Sequence, residues 1–221
     1  MFLYLGPQIH LSLITFNQVE KYYGDVLALH IPQLSLEAGI YWVQGANGAG
    51  KTTCLKMMAG LVPFKGQLLL NDNIDSNRQP IAYRKKVNYA VAEPLYPEFL
   101  TGRELIALYQ RTKGPGLLDI KELTQILRAE NYLHTPVGTY SSGMLKKLSL
   151  LLAFLGEPSL ILLDEPLITL DVATVSAMYD LINRTHALGV SFMITTHQAL
   201  EEDGVPLTGT LRVADKTMVR L

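Results

Sequence analysis

Charge is scarce in this chain. Of 221 residues, 19 are Lys or Arg and 20 are Asp or Glu, a charged share of 18% against a usual value of about 25%. The net charge of −1 leaves no basic footprint for a nucleic acid. The run Arg84-Lys85-Lys86 reads as a solvated face. Cysteine is nearly absent: Cys54 stands alone, so no internal disulfide is expected and a reducing compartment suits the chain. Long apolar runs are missing too. The longest, "LSLLLAFL" at 148–155, stops at Gly156-Glu157-Pro158, well short of the ~20 residues that span a bilayer. The N-terminal "MFLYLGPQIHLSLI" has no basic region ahead of its apolar stretch, and Gly6-Pro7 interrupts it, so no secretory signal is expected.

What is present is a chain with 48% hydrophobic residues, enough for a large core in a single α/β domain, a class that commonly reaches roughly 200 to 250 residues. Short apolar runs at 40–43, 67–70, 87–91, 160–163 and 191–195 read as strands, several buried on both faces. Helical patterns run from Cys54 to Leu61, Gly102 to Arg111, Ile120 to Ala129, Ser142 to Leu155 and Val172 to Ala187. That alternation predicts a mostly parallel sheet with crossover helices. Between 98 and 155 there is no strand signal, which predicts a helical lobe inserted into one domain spanning 1–221, with "TKGPGLLD" at 112–119 as a loop inside the lobe.

The stretch "GANGAGKTT", Gly45 to Thr53, fits G-x-x-x-x-G-K-[ST], and it falls after a predicted strand and before a predicted helix. In such a loop, glycines let main-chain N–H groups converge on phosphate oxygens, and the helix N-terminus adds about half a positive charge. Asn47, Gly48, Ala49 and Gly50 supply that backbone, Lys51 a full charge, Thr52 a hydroxyl for Mg²⁺, and Thr53 a donor for an inner phosphate. Downstream, "LILLDEP" at 160–166 carries Asp164 to the end of a buried strand, where it can reach Mg²⁺ through water. Glu165 follows directly and suits a general base acting on water. In "TYSSGMLKKLSL" a Ser-x-Gly turn opens a helix, with Ser141 and the Gly143 N–H as donors to a second phosphate-binding N-terminus.

With these segments in this order, the chain resembles the ATP-binding cassette family, in particular the nucleotide-binding subunit of ABC transporters, from about Phe16 to Glu202. The marks are the Walker A "GANGAGKTT", the signature "YSSGM", the Walker B "LILLDE", a D-loop-like "ITLD" ending at Asp171, and "TTHQ" with the switch histidine His197. The resemblance implies a P-loop NTPase core with an antiparallel β-subdomain and an inserted helical lobe. It also implies an adenine-stacking aromatic at Tyr23, in "EKYYGD", with Tyr22 the less favoured neighbour. The catalytic residues it implies are Lys51, Glu165 and His197, and the cofactors are ATP and Mg²⁺.

Two segments depart from the family pattern. The signature keeps Ser141 and Gly143 but has Tyr140, Ser142 and Met144, like bacterial export-type cassettes. The usual Q-loop glutamine is missing: Ala92 takes its slot, and Glu93 beside it is the group able to reach Mg²⁺ or water. The implied mechanism is a head-to-tail dimer, with a like or an unlike cassette, that sandwiches ATP between one subunit's Walker A loop and the other's signature. It drives a separate transmembrane permease from the cytoplasmic face of a bacterial inner membrane, through an apolar surface of Leu95, Tyr96, Phe99, Leu100 and Tyr109. No further regulatory domain is expected after the last strand signals. Alternatives are a soluble ABC ATPase uncoupled from transport, and a haem or cytochrome-maturation exporter. A P-loop GTPase would need an Asn-Lys-x-Asp guanine reader, and none occurs.

Overall fold

A computed structural model describes residues 12–196 and 204–221. Its larger sheet has six strands in the order β10-β9-β3-β8-β7-β6. These are β3 (Ile40–Gln44), β6 (Val87–Ala90), β7 (Leu160–Asp164), β8 (Ser191–Thr195), β9 (Gly209–Ala214) and β10 (Thr217–Arg220). The pairs β3–β8, β3–β9, β6–β7 and β7–β8 are parallel, and only β10 runs against its neighbour. A smaller antiparallel sheet, ordered β2-β1-β4-β5, comprises β1 (Ile14–Tyr23), β2 (Val26–Leu36), β4 (Lys65–Leu70) and β5 (Ile74–Asp75).

The central strands are mostly apolar because both faces of the large sheet are covered, with polar residues such as Asp164 and Thr195 at their carboxyl ends. Side chains alternate between two cores. Ile161, Leu163, Phe192 and Ile194 point into one core with the helices α3 (Gly102–Lys113), α5 (Ser142–Ala153) and α6 (Val172–Ala187). Leu160, Leu162 and Met193 point into the other, shared with α1 (Lys51–Met58) and the small sheet. β1 and β2 mix buried apolar residues with polar and exposed ones, and a bulge at Lys21/Tyr22 breaks their alternation, so they form no continuous buried run.

The predicted strands at 40–43, 67–70, 87–91, 160–163 and 191–195 are all found, the last with matching limits. Helix limits differ for local reasons. α1 starts at Lys51 rather than Cys54, because left-handed Gly50 turns the chain directly into the helix. α4 (Ile120–Ile126) stops short of Ala129, where Arg128 takes a φ of 52°. α5 ends at Ala153 because Asn88 of β6 donates to the carbonyls of both Ala153 and Leu155 at 2.8 Å, fastening the helix end to the sheet. The segments unmarked by the sequence pattern are β1, β2, β5, α2 (Pro80–Lys86), β9 and β10. β9 and β10 are joined by Asp215 and Lys216, both at positive φ, the two-residue turn that matches strand twist. Among the described residues, no helix is long and apolar enough to cross a membrane.

Cys54 lies fully buried on α1 between Met58 and Met218, and burial pushes its thiol up to about 12. At pH 8 the native protein should therefore not react with a thiol-selective disulfide reagent. One equivalent should react once the chain is unfolded in urea, and prompt labelling of the folded protein would contradict this packing.

Candidate functional site

Parallel register decides what meets at the carboxyl edge of the large sheet. Val43 of β3 is level with Thr195 of β8, Asp164 of β7 is level with the same Thr195, and Ala90 of β6 is level with Leu163. Adjacent strands are about 4.8 Å apart, so the residues that follow β3, β8, β7 and β6 emerge side by side. Crevices at this edge are where α/β sheets bind ligands.

The loop after β3 is shaped for an anion. Gly48 and Gly50 adopt φ values of 77° and 105°, which side-chain-bearing residues reach only with strain. A Cβ on Gly45 would meet the Val213 carbonyl at 2.4 Å, so β9 closes the loop from behind. α3, α5 and α6 are capped by the side chains of Thr101, Ser141 and Asp171; α1, like the shorter α2 and α4, has no side-chain cap, and it begins after left-handed Gly50 with no acid in its first turn. Its first N–H groups and its dipole are thus left for a ligand. Lys51 Nζ crosses the loop and donates to the carbonyls of Gly45 (2.7 Å) and Ala46 (3.1 Å). Asn47, Gly48 and Thr52 are exposed, and Ala49 and Thr53 are half-buried. Exposed backbone donors, one ammonium and two hydroxyls fit a triphosphate.

Asp164 is 1% exposed, and its two carboxylate oxygens are held separately. Tyr89 Oη donates to Oδ2 at 3.0 Å and Thr195 Oγ1 to Oδ1 at 2.7 Å. Burial, the Asp164 charge and this hydrogen bond push the Tyr89 phenol well above its ordinary range, so it stays a donor. Glu165 has a φ of 48°, a left-handed conformation that costs on the order of 1–3 kcal/mol for a non-glycine residue. Its N–H donates to Thr195 O at 3.2 Å and Thr195 Oγ1 at 3.0 Å. From the opposite side Lys146 Nζ donates to the Asp164 carbonyl at 2.9 Å. Burial lowers the Lys146 ammonium to about 8, against the pull of Asp164 and Glu165.

Other sequence-predicted residues lie elsewhere. Ser141 caps α5, its Oγ accepting from Met144 N at 3.3 Å, and Gly143 lies against the Thr169 carbonyl. Tyr23 ends β1 and is 52% exposed, with Lys21 Nζ 4.5 Å from its ring centroid; Tyr22 is 36% exposed. Glu93 is exposed in the loop after β6. Among the described residues no three His, Cys, Asp or Glu side chains gather as a metal cluster; a Mg²⁺ bound mostly by phosphate and water would need fewer. His197 lies outside the described residues. No sequence motif singles out Tyr89, Thr195 or Lys146. Lys146 had a readable signal: at helical spacing it shares a face with the buried Leu150 and Ala153.

This edge, with an anion loop, a held Asp164 carboxylate and a fixed Glu165 backbone, is that of a P-loop nucleotide hydrolase. A family model described as ABC transporter matches residues 29–168. The chain is 33% identical over 175 residues to the cytochrome c biogenesis ATP-binding export protein CcmA of Legionella pneumophila, covering 79% of this chain and 84% of that protein. It is also 33% identical over 190 residues to the Nod factor export ATP-binding protein I of Burkholderia lata, covering 83% and 62%. An ABC transporter ATP-binding subunit of known structure superposes with a TM-score of 0.83 at 24% identity, covering 95% of this chain and 90% of that one. A dimeric ATP-binding cassette bound to ADP and Pi superposes at 0.74 and 17%, covering 94% and 98%. The chain belongs to the ABC transporter family. Within it, this is an ATP-binding cassette, an ATPase of the kind that powers a membrane transporter.

Thr195→Val removes a donor to Asp164 and an acceptor from Glu165 while keeping the side-chain shape. Leaving buried polar groups unpaired costs about 1–3 kcal/mol, so urea unfolding should show a loss of that size together with slower ATP turnover. Unchanged stability and turnover would remove Thr195 from the site.

Proposed function

We propose that this chain is the MgATP-driven half of a bacterial exporter. In this reading two copies pair head to tail around two nucleotides and work a separate permease from the cytoplasmic face of the inner membrane. The observation that carries it is the uncapped α1 N-terminus on the same sheet edge as the held Asp164 carboxylate and the fixed peptide between Asp164 and Glu165. The whole chain acts as one cassette, with the lobe at 98–155 lending its signature to the partner copy. The names of the Legionella and Burkholderia relatives share export and differ in cargo, which supports a direction rather than a substrate.

Each residue then has a task. Lys51 and the N–H groups from Asn47 to Thr53 hold the β- and γ-phosphates. Thr52 and Asp164 would hold Mg²⁺, with Glu93 a further donor in the loop that lacks glutamine; the ion, when bound, neutralises charge on the transferring phosphoryl oxygens. Glu165 takes a proton from the attacking water. His197 holds the γ-phosphate during hydrolysis. Ser141 and Gly143 meet the γ-phosphate bound to the other copy, so ATP bridges the copies and hydrolysis releases them.

The contact to the permease is a groove of about 960 Å³ between the core and the lobe. It is lined by Leu95, Tyr96 and Tyr109 together with Arg84, Lys85 and Arg111, which suits an amphipathic segment bearing acidic groups. Leu95 is 91% and Phe99 80% exposed, whereas Tyr96, Leu100 and Tyr109 pack partly into the lobe core.

Tyr23 offers a sequence-tolerant face to a base and no reading of its edge. Tyr23→Ala should weaken ATP and GTP binding alike, by about 1–3 kcal/mol; unchanged ATP affinity in a titration would take Tyr23 out of the site. The sandwich has its own test. Glu165→Gln should slow turnover on the order of 100- to 10,000-fold and, with MgATP, give a dimer by light scattering. Adding Ser141→Arg costs the α5 cap about 1 kcal/mol, yet should abolish that dimer while ATP still binds. A monomeric Glu165→Gln at saturating MgATP, or a double variant that still dimerises, would overturn the shared site.

A further inference from the structure

Lys146 has no task in the reading above, yet it is the most deeply placed cation of the lobe. It is 2% exposed on α5, and its ammonium donates to three main-chain carbonyls: Val91 at 3.3 Å, Ala92 at 3.2 Å and Asp164 at 2.9 Å. A buried ammonium is tolerated only where its donors are satisfied. Here they are spent on backbone, so Lys146 orients main chain. The grip on Val91 and Ala92 needs no particular side chain at either position, which suits a loop that carries alanine where a glutamine is usual.

The third bond bears on the chemistry. The Asp164 carbonyl belongs to the peptide that joins the two acids. The other side of that peptide, the Glu165 N–H, is held by Thr195 O and Thr195 Oγ1 at 3.2 and 3.0 Å. Hydrogen bonds on both sides resist rotation of the peptide plane, in the orientation that accompanies the Glu165 φ of 48°. Free of Lys146, the peptide could flip towards an ordinary conformation and re-aim the Glu165 side chain. α5 also opens with Ser141 and Gly143, so the same lysine joins the signature to the acid pair of its own subunit.

We infer that Lys146 is the positioning residue for Glu165: it holds the Asp164–Glu165 peptide in its hydrolytic setting and ties that setting to the signature helix. This rests on Glu165 being the general base. Lys146→Met removes the donors and keeps an unbranched chain. In steady-state phosphate release by the full chain, kcat should fall by about 10- to 100-fold while KM for ATP stays within about twofold. Lys146→Arg, which keeps main-chain donors, should recover part of kcat. In a Glu165→Gln background, Lys146→Met should slow the residual rate by less than about twofold, since no base remains to be aimed. The Glu165→Gln/Lys146→Met protein should still dimerise with MgATP. The inference is overturned if Lys146→Met leaves kcat unchanged, or slows both backgrounds by the same factor as a general packing defect would. It is also overturned if the loss lies in KM. If Lys146→Met does not fold, Lys146→Gln carries the same comparison. Should Glu165→Gln alone retain wild-type turnover, the general-base reading fails, a result distinct from failure of the positioning role.

Discussion

β3, β8, β7 and β6 are bonded in parallel, and where that register lets each strand end governs the chemistry that follows. Val43, Thr195 and Asp164 share one row across the sheet. A shift of one residue in any pair would turn every side chain to the opposite face. It would send Asp164 into one of the two apolar cores instead of the edge. The apolar strand sequences, divided between two covered faces, are therefore as much a part of the site as the loop glycines.

At that edge the chain buries charge in a particular way. Asp164 is almost inaccessible, yet hydroxyls from Tyr89 and Thr195 hold its oxygens. Hydroxyl donors fix a carboxylate without neutralising it, which leaves its charge for a cation. The nearby ammonium of Lys146 is turned to the carbonyl behind Asp164 instead. Next along α5, Lys147 donates to Asp171, whose carboxyl is held well below its usual range, first by its hydrogen bonds to Thr174. Two consecutive lysines thus fasten one helix to the end of β7 and to the start of α6.

The lobe shares one apolar core with the large sheet, and specific polar links are added to it. Asn88 holds the last carbonyls of α5, Lys146 holds the loop after β6, and the groove lies alongside. The segment after β6 thus touches both the groove and, through Lys146, the peptide between the two acids.

Much of this was legible in the chain itself. Glycines at fixed offsets before Lys51, an apolar run ending in Asp164-Glu165 and a Ser-x-Gly helix start are local patterns, and local patterns set local backbone: a turn, a strand end, an N-terminus. The buried central strands were legible for the same reason. β1 and β2 were not legible in this way, because their polar and apolar residues are mixed, bulges shift their register, and β1 depends on pairing with the distant β4. Only the tertiary structure decided that Tyr89 and Thr195 flank Asp164, and that a lysine in a leucine-rich helix grips the peptide between the two acids. Those contacts join residues 18 to 75 positions apart, and hydrogen bonds between groups so distant in the chain exist only once the sheet register has brought them together.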